Sequence, residues 1–278
     1  MKALLLVSVF TALSCDCRKC TRQQRVRGAE TFVPRHNDVT DIQKHSSTRS
    51  AQQTVYFWPS LTDHERGVLR DAFYQIERRT CIKFNEQEFK PWYHADRWLE
   101  QKPYVLITKS GKYAAYSDNT VEGIAMRSIL YITDKALNYP LVNQSRGMVI
   151  DQLLRFMGFR PEHLRPDAPS YIQALREQAI STAPSFLNTQ LQWPFDPESV
   201  TIPAEARYLY QLTQYCLARN NADIGAGQRA GLLTRWDAIK INSTYCPSQV
   251  GYADPRYGPC VVPRLNLANQ VDKTSRRL

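Results

Sequence analysis

The residues with the most chemical potential lie in one stretch, GMVIDQLLRFMGFRPEHLRPD, running from Gly147 to Asp167. Asp151 and Arg155 are four apart, which puts them on one helical face, and Gln152 stands beside them. A helix that supplies a catalytic zinc site offers two histidines four apart with a glutamate between them, and a third ligand from elsewhere. This chain has five histidines, His36, His45, His64, His94 and His163, and no two are four apart. The only His-Glu step, His64-Glu65, has Val68 where the second histidine would stand. By residue type the stretch therefore offers an ion pair between Asp151 and Arg155, and a carboxamide at Gln152 that cannot take a proton from water.

The elements that must position these residues are readable from apolar spacing. Over GMVIDQLLRFMGF, the residues Val149, Ile150, Leu153, Leu154 and Met157 form an inward stripe, and Gly158 can take the left-handed cap that ends a helix. An earlier helix begins near Ser60 or Thr62, with Asp63 and Glu65 in its first turn and Val68, Leu69, Ala72, Phe73 and Ile76 as its stripe. TVYFW from Thr54, YVLIT from Tyr104 and SILYI from Ser128 read as strands, and TRWDAIKINSTYC reads as an amphipathic helix ending at Cys246.

Organisation and charge place these elements in one medium domain with appendages. Residues 1–14 carry the apolar run Ala3 to Leu13 behind Lys2 and read as a secretory signal peptide cut before Cys15. Residues 15–49 are a polar, basic leader or prosegment with Arg22, Arg25 and Arg49 as processing points. Residues 50–246 are globular, and 247–278 form a tail rich in Pro, Gly and Arg; there is no internal repeat and no apolar run that would span a bilayer. The net charge of +10 is concentrated in part between Arg18 and Arg27, which suits a solvated surface or weak polyanion binding. A secreted chain does not meet nucleic acid. Seven cysteines, Cys15, Cys17, Cys20, Cys81, Cys216, Cys246 and Cys260, favour disulfides in an oxidising compartment, with one thiol left over. Cys17-Arg-Lys-Cys20 has no strand before it and no histidine beside it to make a redox or zinc motif. Asn143 and Asn242 head N-glycosylation sequons.

Four stretches, in order, carry a resemblance: LTDHERGVLRDAFYQIERRTCIKF, GMVIDQLLRFMGFRPEHLRPDAPSYI, FDPESV and IGAGQRAGLLTRWDAIKINSTYC. Together they resemble the catalytic domain of the astacin family of zinc metalloendopeptidases, within the metzincins. The resemblance implies an α/β (α+β) two-lobed domain with a twisted, mixed five-stranded sheet and long helices. It also implies which positions carried the chemistry. The family's zinc histidines fall on Asp151, Arg155 and Pro161, its catalytic base on Gln152, its Met-turn methionine on Thr201 and its additional tyrosine on Pro203. Gly158, Phe159, Glu162, His163, Arg165, Pro166, Asp167 and Tyr171 match the family. In the family the position of Glu162 meets the new N-terminus after prosegment removal, and Cys81 pairs with Cys246. The second family bridge has no cysteine in SGKYAAYS.

Proline has no ligand atom and arginine is a permanent cation, so a single carboxylate remains where zinc would sit. The expectation is a domain without zinc or other cofactor, with the Asp151–Arg155 ion pair in the zinc site, facing the cleft. The function expected is that of a secreted astacin-like pseudoprotease that binds an extracellular protein or peptide, as a decoy for substrates or partners of active relatives. The alternatives are a coat or matrix structural protein cross-linked through the odd cysteine, and an active astacin-type metalloendopeptidase with a non-standard site.

Overall fold

The structure is a computed structural model that describes residues 40–41, 48–88, 102–121, 124–176, 185–217 and 220–262. The signal peptide, Cys15, Cys17, Cys20, most of the leader and the end of the tail lie outside the described residues.

The chain forms a mixed α/β domain around a six-stranded sheet with the order β1-β5-β6-β4-β2-β3. Strands β2 (Gln52–Phe57), β3 (Lys83–Gln87), β4 (Tyr104–Ser110) and β6 (Ile124–Thr133) run parallel to their neighbours, while β5 (Ala115–Val121) pairs antiparallel with β6. These five are the mixed sheet expected. A two-residue strand, β1 (Thr40–Asp41), adds a sixth by pairing antiparallel with Ala115 and Tyr116 of β5. AYSDNTV of β5 has four polar residues in a row, Ser117 to Thr120, and holds Asp and Asn, so β-propensity gave it no signal.

Helix α1 (Asp63–Glu77) starts at Thr62, whose hydroxyl accepts from Glu65 N while the Glu65 carboxylate accepts from Thr62 N, a reciprocal capping box. Its expected stripe is buried, and Phe73 stacks between Phe57 and Phe84 at 6.0 and 4.3 Å. After the short helix α2 (Asp134–Leu137) comes α3 (Val142–Phe156), which begins five residues before Gly147. Gly147 is thus an interior helical residue, and the reason is contact: a Cβ there would lie 1.9 Å from the carbonyl oxygen of Gln228 in helix α5 (Ala226–Ala230). A short helix, α4 (Asn188–Leu191), precedes it. Helix α3 ends in a Schellman motif, with Gly158 at φ 98°, Gly158 N donating to Arg155 O and Phe159 N to Leu154 O. Helices α1 and α3 pack on one face of the sheet through Val68, Leu69, Phe73, Ile150, Leu153 and Leu154, which belong to the main core.

The second half is built on a smaller core of Tyr171, Ile172, Phe195, Ile202, Ile224 and the half-cystines Cys216 and Cys260. A two-stranded ribbon of β7 (Ile172–Ala174) and β8 (Tyr210–Leu212) lies beside it, and helix α6 (Arg235–Tyr245) closes the domain. Cys81 and Cys246 are bonded across a separation of 165 residues, with Cα atoms 6.4 Å apart. Cys216 and Cys260 form a second bridge across 44 residues, which the sequence did not assign. Loop closure makes such bridges worth about 5 and about 4 kcal/mol in the chain-entropy picture.

Two expected boundaries move. The domain does not stop at Cys246: Cys260 is 1% exposed, Val261 N bonds to Tyr215 O and Leu217 N to Pro259 O, so the chain to Val262 is part of the fold. Nor is Arg49 an accessible processing point. Its guanidinium pairs with Asp118 at 3.1 Å, donates to Phe156 O and Ser128 Oγ, and lies over the rings of Tyr116 and Phe156. A protease would have to extract a side chain that is 8% exposed.

Arg49→Met leaves Asp118 without its cation at a largely buried place, and a loss of about 3–5 kcal/mol is expected, read as a lower urea midpoint. Peptide mapping under non-reducing conditions is expected to recover Cys81 joined to Cys246 and Cys216 joined to Cys260; a swapped pairing would contradict the second core.

Candidate functional site

Helix α3 carries three of the four positions assigned to zinc chemistry, and each side chain is committed to something else. Asp151 is 6% exposed and receives a two-point contact from Arg155, Nε to Oδ1 at 2.9 Å and Nη2 to Oδ2 at 2.8 Å. The pair expected from the spacing is therefore formed, but it faces the interior and not an open cleft, because the two side chains are only 9% and 11% exposed. Burial raises the Asp151 pKa, helped by the nearby charge of Asp237 and opposed by Arg155. Gln152 accepts from Thr133 N at 2.9 Å and donates to Thr133 Oγ1 at 2.8 Å, so the carboxamide in the base position ties α3 to the end of β6. Pro161 is buried and starts the 3-10 turn Glu162–Leu164, accepting from Leu164 N.

These donors do not fit a zinc ion. A catalytic zinc wants three lone-pair ligands, and the three positions supply one carboxylate already chelated by a guanidinium, one cation and one proline. Among the described residues no group of three His, Cys, Asp or Glu side chains comes together. His163, the one histidine near the site among the described residues, is neutral: burial first, then the charge of Arg155, push its pKa down to about 4. Its Nδ1 has no hydrogen-bond partner, and its ring lies 6.4 Å from that of Tyr210.

Next to α3 lies a buried ionic network that sequence reasoning found only in part. Glu162 is 1% exposed, and its Oε1 receives Lys240 Nζ at 2.5 Å, Arg165 Nη1 at 2.9 Å and Asp196 N at 3.2 Å. Burial alone would raise its pKa, but Lys240 and Arg165 outweigh that and hold it low. At the position for which the resemblance implies a contact with a processed N-terminus, the ammonium of Lys240, from the middle of α6, sits on the Glu162 carboxylate. Arg165 also grips Asp167 at two points, both 2.8 Å.

Thr201, which the resemblance matches to the Met-turn methionine, is a polar partner of Glu162. Thr201 Oγ1 accepts from Glu162 N at 3.1 Å and shares a hydrogen bond with Ser199 Oγ, which donates to Asp237 Oδ1 at 2.6 Å. Asp237 caps α6 through Thr234 N and also accepts from Val200 N, so a polar relay runs from Glu162 to the start of α6. Pro203 supplies no hydroxyl; its carbonyl instead starts a 3-10 turn by accepting from Ala206 N. Of the sequon residues, Asn143 is exposed on α3. Asn242 is half-buried in α6, where its Oδ1 accepts from Cys81 N and its Nδ2 donates to Arg79 O.

Asp196 completes the network. Burial, then the charge of Asp237, push its pKa up to about 7, against the opposing pull of Lys240 and the hydrogen bond from Thr234 Oγ1 at 2.5 Å. Between pH about 4 and about 7 the folded chain holds a proton here that the unfolded chain has released, so stability falls as pH rises through that window. Glu162, whose pKa is lowered, acts the other way only below its unfolded value of 4.5. Asp196→Asn is expected to flatten a slope of up to about 1.4 kcal/mol per pH unit between pH 5 and 7 and to raise the urea midpoint at pH 8. An unchanged slope would remove Asp196 from that role.

No family model matches this chain, and no curated protein matches it. Among solved structures it is similar to high choriolytic enzyme 1, a hatching enzyme zinc-protease from Oryzias latipes (medaka fish), at 18% identity and a TM-score of 0.49, over 72% of this chain and 93% of that one. It is also similar to myroilysin in two structures: one at 14% identity and TM-score 0.37, covering 74% of this chain and 84% of that chain, the other at 13% and 0.38, covering 77% and 96%. Likenesses at these values do not bear on the chemistry of the site.

Proposed function

We propose that this chain is a secreted, astacin-like pseudoprotease that acts by binding an extended protein segment and cleaves no peptide bond. The observation that carries the reading is the Asp151–Arg155 chelate: the one ligand-capable side chain among the assigned zinc positions is held by a guanidinium at 2.8–2.9 Å. A dication would have to displace that cation and then find two further ligands among residues that have none to give. Gln152, bonded to Thr133 through both ends of its carboxamide, leaves no base for an attacking water.

Secretion is supported by two formed disulfides, which belong to an oxidising compartment, and by the apolar run Ala3 to Leu13. No helix among the described residues is long and apolar enough to cross a membrane. Binding of an extended chain is supported by β5: among the described residues β1 pairs with only Ala115 and Tyr116, which leaves Ser117 to Val121 as an edge that a partner strand can extend.

Purified full-length protein is expected to carry less than about 0.1 zinc per chain by elemental analysis, against the single catalytic zinc of a working hydrolase. It should bind reduced, carboxymethylated casein saturably and leave it intact. Chelator-sensitive cleavage with about one zinc per chain would establish the enzyme reading instead, and failure to bind any unfolded chain would remove the binding reading.

Arg155→Met is expected to cost about 3–5 kcal/mol by leaving Asp151 buried and unpaired, while the double variant Asp151→Asn with Arg155→Met recovers most of that loss. If both variants are as stable as the parent, the pair contributes nothing to holding this helix.

A further inference from the structure

The molecule has an open cavity of about 390 Å³ on the far side of α6, away from Asp151 and Gln152. Its floor is the outward face of that helix, Arg235, Ala238, Ile239 and Asn242, which are spaced at about one turn. One wall is Arg79, just beyond the end of α1, and the other is the segment from Gln249 to Ala253. The volume lies within the range of small-ligand pockets, roughly 300–1,000 Å³.

The chemistry of the lining is one-sided. Arg79 and Arg235 are both exposed, and no carboxylate is among the described residues that line the space. Ala238, Ile239, Val250 and Ala253 give an apolar floor and wall between the two cations, with the carboxamides of Asn242 and Gln249 beside them. Tyr252, 93% exposed, stands at the rim as an aromatic face that the fold itself does not cover.

The site is also held in shape before any ligand arrives. Arg79 Nη1 donates to the carbonyl of Leu233, which fixes one edge of its guanidinium. Asn242 bridges floor to wall by accepting from Cys81 N and donating to Arg79 O. The Cys81–Cys246 disulfide joins that wall to the far end of α6, where the Gln249 segment begins. Preorganisation of this kind lowers the ordering cost of binding.

We infer that this cavity is a binding site for a compact organic anion, a carboxylate, sulfate or phosphate carried on an apolar or ring-shaped body. The anion bridges the two guanidiniums, the body covers Ala238 and Ile239, and Tyr252 packs over it. A guanidinium recognises carboxylates and phosphates through paired N–H donors, and the apolar strip selects against the bare inorganic ion. This site owes nothing to the lost zinc chemistry and stands whether or not the casein experiment succeeds.

The test uses the full-length, oxidised protein with three probes: 1-anilinonaphthalene-8-sulfonate, its uncharged relative N-phenyl-1-naphthylamine, and inorganic sulfate as competitor. One sulfonate probe per chain is expected, bound at least about tenfold more tightly than the neutral probe, a difference of about 1.4 kcal/mol. Sulfate should compete only weakly. The double variant Arg79→Gln with Arg235→Gln should lose about tenfold or more for the sulfonate and nothing for the neutral probe. Ile239→Trp, which fills the cavity and keeps both arginines, should abolish binding of both. All variants are checked for the parent's near-ultraviolet circular dichroism, so that probe bound to unfolded chains is not counted. Equal affinity for charged and neutral probes, or sulfonate binding unchanged in both variants, overturns the inference.

Discussion

A carboxylate with 1% of its surface exposed stays ionised only if cations are fixed against it, and the second half of this molecule is arranged around that demand at Glu162. Lys240 comes from α6, Arg165 from the turn after α3, Gln190 from α4, and Asp196 N from the segment after α4. Thr201 holds the backbone of Glu162 itself. Removing any one of these leaves the others around a charge that water cannot reach, so the network specifies the relative placement of four segments.

The Asp151–Arg155 ion pair does a different job. Asp151 and Arg155 belong to one helix, so their contact joins no two elements of the fold; it neutralises a carboxylate that α3 turns inward. Contacts from outside the helix fix the turn at Pro161 that follows it. The Schellman cap at Gly158 sets the direction of the chain, and the Glu162 network anchors it three to four residues later. Arg49 repeats the same device on the other side of α3, where its guanidinium joins β5, β6 and the end of the helix through Asp118, Ser128 and Phe156.

Local patterns were legible in the sequence and distant partners were not. The stripe of α1, its cap at Thr62, the end of α3 at Gly158 and the Asp151–Arg155 pair all follow from spacings of three or four residues. Lys240 is 78 residues from Glu162, and Arg49 is 69 from Asp118, and nothing in composition links such pairs. Arg49 looked like a cleavage point because a lone arginine in a polar stretch carries no sign of burial. Cys260 looked like part of a tail because Pro and Gly surround it, and its bridge to Cys216 needed the fold to bring Tyr215 and Val261 together. β5 was missed because an edge strand half-exposed to solvent does not need the apolar run that marks β4 and β6.

The contacts around Asp196 explain why its pKa is pushed up to about 7. Asp151, Glu162, Asp196 and Asp237 are all buried; Arg155 sits on Asp151, Arg165 and Lys240 sit on Glu162, and Arg165 is also committed to Asp167. Burial disfavours the charged form of a carboxyl that has no cation in contact with it. Asp151 and Glu162 each have a cation in direct contact, and Asp237 accepts from Ser199 Oγ, Val200 N and Thr234 N. Asp196 has one hydroxyl and one backbone N–H, with Lys240 acting on it only at a distance. With so few donors on Asp196, burial and the neighbouring charge of Asp237 prevail there over the distant pull of Lys240.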